Sequence, residues 1–170
     1  MMLRPKHAAM LEQLETQSPE SLRGVQLCFE LLSAAAAIDD DCGKRLGTFG
    51  LSEGRLIVLL LLRKRSEGVI PSELAQLAGV TRGTITGLLD GLESNGLTHR
   101  THDNDDRRRI FVRSTEKGNK LVEKVFVEHA SWISNLLSGL TEEEQSEFER
   151  LLQKIWKNTD SARGDDIGLK

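Results

Sequence analysis

The chain has 170 residues, of which 38% are hydrophobic and 29% are charged, and its formal net charge is −3. This length and apolar content suit one compact domain, or one domain with an added dimerisation layer. The negative net charge argues against a protein that coats nucleic acid without sequence preference. No continuous apolar run approaches the roughly 18 residues of a membrane span, and the N-terminus lacks a signal-peptide core, which predicts a cytoplasmic protein without a membrane partner.

Residues 1–48 are predicted to form an N-terminal arm followed by a long helix. Ser18 and Pro19 are typical of a helix start, and the helical pattern continues to about Leu46. At the helical rise of 1.5 Å per residue this helix is about 40 Å long, which is more than one side of so small a domain needs. Its surplus apolar surface predicts that residues 1–48 pair with a second copy of the chain.

Residues 49–114 have the pattern of a helix-turn-helix followed by a hairpin. A scaffold helix capped by Ser52 precedes a short helix that begins at Pro71, where the missing backbone N–H has no cost. A turn at Gly79 leads to a second helix, which Thr81 is suited to cap. Two helices joined by such a glycine-containing turn are the motif that places its second helix in a DNA major groove.

The scaffold helix, Glu53 to about Lys64, ends in a run of basic residues that has two interpretations. Arg63, Lys64 and Arg65 could contact DNA phosphates. They could equally favour the negative C-terminal end of their own helix. The sequence leaves both open.

The second helix, Thr81–Glu93, has two chemically different sides. Apolar residues recur at helical spacing on one side, at Ile85, Leu88, Leu89 and Leu92. The other side carries small or polar residues that allow another surface to approach closely, and we predict DNA contacts from Arg82, Gly83, Thr84, Thr86 and Gly87. For Gly91 the alternative is that it packs against the hairpin.

The hairpin, which we call the wing, is predicted as two short strands, Leu97–Thr101 and Arg107–Ser114, joined by an Asp-rich turn. A guanidinium on a projecting loop suits the narrow, electronegative minor groove. Because strand side chains alternate, Arg107, Arg108 and Arg109 cannot all have the same role. An adjacent Asp is predicted to orient one arginine while another contacts DNA. The alternative is a solvated charge cluster at the tip.

Residues 115–160 are predicted to form two helices that pair subunits. The first begins at Thr115 and extends to about Gly139, and the second begins with a capping-box signature at Thr141. Neither carries residues typical of DNA recognition. Residues 161–170 are predicted to be a flexible tail.

Enzyme and metal chemistry find little support in the sequence. There is no glycine-rich phosphate loop, no nucleophile-elbow pattern and no Tyr. The adjacent acidic residues at 39–41 diverge on a helix, so they do not form a paired-carboxylate site. His99 and His102 have no Cys or second His pair near them in sequence. We therefore predict no enzymatic activity, no metal site and no cofactor.

The stretch from Leu51 to Leu121 resembles the MarR family of dimeric winged-helix transcription regulators. The resemblance lies in PSELAQLAGVTRGTITGLLDGLESNGL, in the wing HRTHDNDDRRRIFV and in STEKGNKL. In that family the Arg of an Asp-x-Arg pattern in the wing enters the minor groove, which implies this role for Asp106 and Arg108. Gly91 departs from the family pattern, where a basic residue is common, and this removes one candidate phosphate contact.

The resemblance implies a mainly α fold with a small β-wing, a winged helix-turn-helix and a helical dimerisation region. It also implies a homodimer that binds a pseudo-palindromic operator in double-stranded DNA. The expected function is that of a repressor released by a small aromatic or amphipathic effector. The alternative from another class is a winged-helix module for protein contact that has no DNA role.

A further alternative concerns Cys28. The segment GVQLCFELL resembles the first helix of the organic-hydroperoxide-sensing branch of the same family, in which a Cys is the reactive thiol. This resemblance implies a thiol-based, peroxide-responsive regulator. A sensor thiol needs access and nearby donors or positive charge, and with no Tyr the chain lacks the hydroxyl donors of that branch. A buried, apolar Cys28 is the preferred interpretation.

Overall fold

The computed structural model describes residues 3–14, 19–102, 109–160 and 162. Its elements are α1 (Pro5–Glu12), α2 (Pro19–Gly47), α3 (Glu53–Arg63), α4 (Pro71–Leu77), α5 (Arg82–Ser94), β1 (Thr98–His102), β2 (Ile110–Ser114), α6 (Glu116–Asn135) and α7 (Glu142–Lys157). The two strands form one antiparallel sheet, so the predicted mainly α fold with a small β-wing is confirmed. The chain forms two compact units, Met1–Val125 and Phe126–Lys170. Apart from Ala162, the tail predicted at 161–170 lies outside the described residues.

The predicted helix starts are confirmed by their capping hydrogen bonds. The side chains of Ser52 and Thr81 each accept from a backbone N–H in the first turn of α3 and α5. Thr141 and Glu144 form a reciprocal capping box at the start of α7. Each such cap stabilises its helix by about 1 kcal/mol, which explains why local sequence sets these boundaries so well.

The core of the first unit lies between α3, α4, α5 and the wing. Its fully buried side chains are aliphatic: Leu46, Val58, Leu59, Leu62, Val69, Leu74, Ile85, Leu89, Leu92, Val112, Val122 and Val125. Three of the four residues in the predicted stripe of α5 belong to this core. The fourth, Leu88, is half-buried and lies over Gly54 of α3.

The wing is paired as predicted and is extended by one residue from outside the hairpin. β1 and β2 run antiparallel with Thr98 opposite Ser114 and His102 opposite Ile110. Val69 joins the far side of β2 through two hydrogen bonds with Val112, N to O at 3.0 Å and 2.9 Å. Outside the hairpin, Val69 therefore joins the sheet as a single bridge.

The N-terminal segment forms a helix that packs along α2 of its own chain. His7 is buried, its ring stacks on Phe29 at 4.8 Å between centroids, and its Nδ1 lies 2.9 Å from the Ser33 Oγ. Arg4 adds a backbone hydrogen bond to the same Oγ and an ion pair with Asp40. These contacts position α1 on α2.

The helix α2 matches its predicted start and end, and it leaves much apolar surface uncovered. Leu27 is 56% exposed, and Leu32 and Ile38 are also exposed. Within the described residues, Ser21–Gly47 is one stretch long and apolar enough to cross a membrane, judged by length and composition alone. Arg23 and Glu30 divide this stretch into shorter apolar segments, so the sequence shows no continuous apolar run of membrane-spanning length.

In the second unit, α6 ends earlier than predicted and α7 remains open. The helix stops at Asn135 rather than near Gly139, because the chain then closes hydrogen bonds to the third residue back, such as Leu136 N to Ile133 O at 3.1 Å. No residue of α7 is buried. Its apolar face is exposed along its length, at Phe148, Leu151, Leu152, Ile155 and Trp156.

Candidate nucleic-acid interface

The residues predicted to contact DNA all lie on the solvent-exposed part of α5. All five, Arg82, Gly83, Thr84, Thr86 and Gly87, are exposed. A Cβ added at Gly87 would meet nothing within 4 Å, and one at Gly83 would meet only the Thr81 Oγ1 at 3.9 Å. Packing among the described residues therefore does not require either glycine, although each costs about 0.8 to 1.0 kcal/mol relative to Ala in a helix. Their small size suits a surface that something outside the chain approaches closely.

Hydrogen bonds within α5 determine which donors and acceptors its hydroxyl groups present to a partner. The Thr86 hydroxyl donates to the Arg82 carbonyl at 2.9 Å. Thr84 donates its backbone N–H to the Thr81 Oγ1, and the two hydroxyl oxygens lie 2.9 Å apart. With its hydrogen committed, Thr86 can accept from the amino group of an adenine or cytosine, or place its methyl against that of a thymine.

Arg82 lies at the edge of a cleft between α4 and α5. The cleft has a volume of about 330 Å³ and is lined by Pro71, Ser72, Arg82, Ile85 and Thr86. Among the described residues, the Arg82 guanidinium has no hydrogen bond or ion pair. Its donors therefore remain available to a guanine edge or a phosphate.

The tip of the wing lies outside the described residues, and with it Asp106, Arg107 and Arg108. Arg109, which immediately precedes β2, is described. Its Cζ lies 5.3 Å from the centroid of the Phe111 ring, which is a cation–π contact. The minor-groove role of the tip stays a prediction.

Arg100 forms an ion-pair cluster that was not predicted from the sequence. Its Nη1 and Nη2 lie 2.6 Å from Glu93 Oε2 and Asp90 Oδ1, and its backbone N–H donates to Glu93 Oε1 at 3.0 Å. The hydrogen bond that Arg100 donates to Asp90, followed by the charges of both carboxylates, raises the pKa of Arg100 above its ordinary value. The cluster ties β1 to α5. A pair of carboxylates three residues apart on a helix, followed by Arg in the next strand, was the available signal.

Arg113 ties the other strand to the base of the wing. Its Nε and Nη2 donate to the Glu67 carbonyl at 3.1 Å and 2.8 Å, and its Nη1 donates to the Thr101 hydroxyl at 3.2 Å. Arg100 and Arg113 are therefore engaged within the chain. Fewer arginines of the wing are therefore available to DNA than its sequence contains.

Gly91 does not pack against the wing, so that alternative is wrong. It lies under Arg55 of α3, and a Cβ added at Gly91 would be 2.2 Å from the Arg55 Nη2. The prediction failed because α3 and α5 are separated in sequence and meet only through tertiary packing, such as that of Gly54 on Leu88.

The basic end of α3 is engaged mostly within the chain. Arg63 forms an ion pair with Glu123 at 3.2 Å. Arg65 donates from Nη1 to the Leu61 carbonyl at 3.0 Å, which supports the helix C-terminus interpretation for that residue.

The two cysteines differ in environment. Cys28 is exposed, so the preferred interpretation of a buried Cys28 is wrong for the single chain. Cys42 is buried, and desolvation, followed by the charges of Glu53 and Asp39, raises the pKa of its thiol. Within the described part of the chain, no three His, Cys, Asp or Glu side chains come together as a metal site would require.

Comparison with known proteins identifies the family. The MarR family model matches residues 51–110, which include α3, α4, α5 and β1. The transcriptional repressor YetL of Bacillus subtilis is 30% identical over 154 residues, covering 90% of this chain and 92% of YetL. The chain belongs to the MarR family. MarR proteins are winged helix-turn-helix transcription regulators that bind DNA, and they are not enzymes.

Two solved MarR-type structures extend the comparison. MepR of Staphylococcus aureus, solved as a complex with DNA, is 25% identical with a TM-score of 0.64, and the match covers 76% of this chain and 95% of MepR. CouR of Rhodococcus jostii RHA1, solved with bound p-coumaroyl-CoA, is 28% identical with a TM-score of 0.60, covering 78% of this chain and 93% of CouR. Proteins with this MarR fold have thus been captured with DNA and with a small molecule.

Proposed function

We propose that the protein is a homodimeric repressor that binds a pseudo-palindromic operator and is released by a small aromatic or amphipathic effector. The observation that carries this proposal is the exposed side of α5, where Gly83 and Gly87 are small without any packing reason within the described chain. Recognition helices enter the major groove with such a side facing the bases. Family membership supports a cytoplasmic location.

Each DNA-contacting residue has a distinct proposed role. Arg82 donates to a guanine edge, and Thr84 and Thr86 contact neighbouring bases or phosphates. Gly83 and Gly87 let the helix backbone approach the groove. In the wing, Arg108 enters the minor groove, with Asp106 orienting it and Arg107 close to the backbone.

The second subunit is proposed from the uncovered apolar faces of residues 1–48 and 115–160. Monomeric proteins rarely leave contiguous apolar surface of this kind open to water. Leu27 on α2 is 56% exposed, and Ile155 and Trp156 on α7 are 50% and 55% exposed. A second copy of the chain presents the same faces, and a two-fold axis lets each helix meet its equivalent.

The effector is assigned to a cavity beside the end of α5. It has a volume of about 410 Å³ and is lined by Phe49, Gly50, Ser94, Asn95, Leu97, Lys117 and Leu121. Lys117 donates from Nζ to the Asn95 carbonyl at 2.9 Å, and the Lys124 Nζ lies 5.6 Å from the Phe49 ring centroid. The Phe49 ring and the Lys117 ammonium group in this lining suit an aromatic carboxylate. A ligand carboxylate that accepts the Lys117 hydrogen bond in place of the Asn95 carbonyl releases the C-terminal end of α5.

Selection from a pool of random-sequence duplexes tests the proposal directly. We expect the full-length protein to enrich a two-fold symmetric sequence with half-sites about 34 Å apart, and to bind it as a dimer by light scattering. Arg82→Ala should relax base preference at one position of each half-site. Arg108→Ala should weaken binding to all duplexes and lower the salt dependence.

Arg63→Gln provides the control, because it removes the same charge from a residue that is already paired with Glu123. A chain that stays monomeric and enriches no duplex would leave the protein-contact alternative. If Arg108→Ala behaved like Arg63→Gln, the minor-groove role would be wrong.

A further inference from the structure

We infer that Arg55, which lies on α3 outside the helix-turn-helix, is an additional DNA-binding residue whose guanidinium, held over Gly91, donates to a phosphate beside α5. The inference rests on the proposed DNA-facing side of α5. It adds a contact from the N-terminal part of α3, for which the sequence suggested no DNA role.

Gly91 creates the space that the Arg55 guanidinium occupies. A Cβ added there would lie 2.2 Å from Nη2, 2.7 Å from Cζ and 3.0 Å from Nε. These distances are shorter than real contacts of a Cβ, so any other residue at this position displaces the guanidinium. The absence of a side chain at Gly91 thus lets α3 place a cation directly on the backbone of α5.

The guanidinium lies in line with Thr84 and Gly87, two of the exposed residues of α5. Gly91 is four residues after Gly87 and seven after Thr84, so the three share one face of the helix. On a different side of α5, Asp90 and Glu93 hold β1 through Arg100. A helix in the major groove is bordered by one phosphate backbone on each side. The wing is placed for one border, and Arg55 is placed for the other.

The charge of Arg55 is available, unlike that of several other arginines of the first unit. Arg63 and Arg100 are paired with carboxylates. Within the residues that the structure describes, the Arg55 side chain has neither a hydrogen bond nor an ion pair, although the residue is half-buried. Partial burial of an uncompensated charge is unfavourable, and a phosphate supplies both the charge and the paired acceptors that fit a guanidinium.

The first test compares Arg55→Gln with Arg63→Gln in the full-length protein. The probes are the duplex selected by the wild-type protein and a mixed-sequence duplex of the same length. We expect Arg55→Gln to weaken binding to both duplexes by about tenfold at roughly 0.1 M salt, and to lower the salt slope by about 1 per lost phosphate contact. The enriched base sequence should stay the same, because a phosphate contact carries no base preference. Arg63→Gln should leave affinity and slope unchanged.

Gly91→Ala is the second test, because it moves the Arg55 guanidinium without removing it. Ala favours helix over Gly, so the variant is expected to fold at least as well as the wild type. We expect it to weaken binding by a similar factor in the wild-type protein and to have no additional effect on Arg55→Gln.

The inference would be overturned if Arg55→Gln had the same DNA affinity as Arg63→Gln. It would also be overturned if Gly91→Ala and Arg55→Gln each weakened binding independently, so that their effects multiplied in the double variant. A wild-type protein that enriches no duplex would instead show that the proposed function itself has failed.

Discussion

The helices α5 and α7 begin alike and end in different environments. Both start with a Thr whose hydroxyl accepts a first-turn N–H, and they have 13 and 16 residues. In α5 the apolar residues Ile85 and Leu89 are each 1% exposed, whereas α7 buries none of its residues. The helix α5 completes its packing within one chain, whereas α7 does not.

This difference separates two kinds of information in the sequence. The apolar stripe of α5 specifies a fold that one chain completes. The equally regular stripe of α7 stays exposed in the single chain, and we propose that a second copy covers it. Substitutions in the apolar stripe of α5 should therefore change the stability of the single chain, whereas substitutions in the stripe of α7 should change subunit pairing.

The largest expected effect is at the core of α5. Leu89→Ala removes a fully buried side chain and should lower the free energy of unfolding by about 2 to 5 kcal/mol. Because the lost contacts lie within one chain, denaturant unfolding should show this loss at every protein concentration.

Leu151→Ala in α7 makes the same chemical change on a surface that is 43% exposed in the single chain. We expect its effect on unfolding to grow with protein concentration, as subunit pairing contributes to stability. Equal, concentration-independent losses for both variants would contradict the distinction between the helices.

A smaller effect is expected from the ion-pair cluster that joins β1 to α5. Arg100→Gln removes the partner of Asp90 and Glu93, and since these groups are partly solvated it should cost about 1 kcal/mol of stability. The wing also loses an anchor to the recognition helix, so operator affinity should fall several-fold. Arg150→Gln, which breaks the exposed pair with Glu147 on α7, is the matched control. Equal operator affinity in both variants would show that Arg100 does not position the wing.

The smallest effect on stability is expected from alkylation of the cysteines. At pH 8 iodoacetamide should modify exposed Cys28 first, while Cys42 stays protected by burial. The pKa of the Cys42 thiol is raised above its ordinary value of 9.0, so the folded state holds this proton more tightly than the unfolded state does. The stability that the protonated thiol contributes is therefore fully present below pH 9.0 and is lost as the pH rises through the raised pKa. Mass spectrometry of digested protein measures both sites. Faster modification of Cys42 than of Cys28 would contradict this assignment.

The same chemistry addresses the peroxide alternative. If Cys28 is a sensor thiol, peroxide should abolish operator binding, and Cys28→Ser should resist it. Unchanged binding after oxidation would remove the thiol-based alternative and leave the effector-controlled repressor.

Short-range chemistry was predictable from the sequence. Ser52, Thr81 and Thr141 cap the helices that they were expected to cap, because a cap depends only on residues within one turn. Gly96 ends α5 with a φ of 67°, a conformation that glycine adopts without strain.

Contacts between distant segments were not predictable. The place of Arg55 over Gly91 depends on how α3 crosses α5, and nothing in either segment alone encodes the crossing. The exposure of Cys28 was missed for a related reason: the apolar residues around it were taken for core, although the single chain leaves Leu27 beside it uncovered.

The bridge between Val69 and Val112 has a consequence for operator geometry. β2 is hydrogen-bonded to β1 on one side and to Val69 on the other, so this strand is held on both sides at the base of the wing. Inserting one base pair between the half-sites increases their separation by about 3.4 Å and rotates one relative to the other by about 35°. A hairpin fixed at its base cannot absorb that rotation. We therefore expect the length of the central spacer to be the most strictly constrained property of the operator.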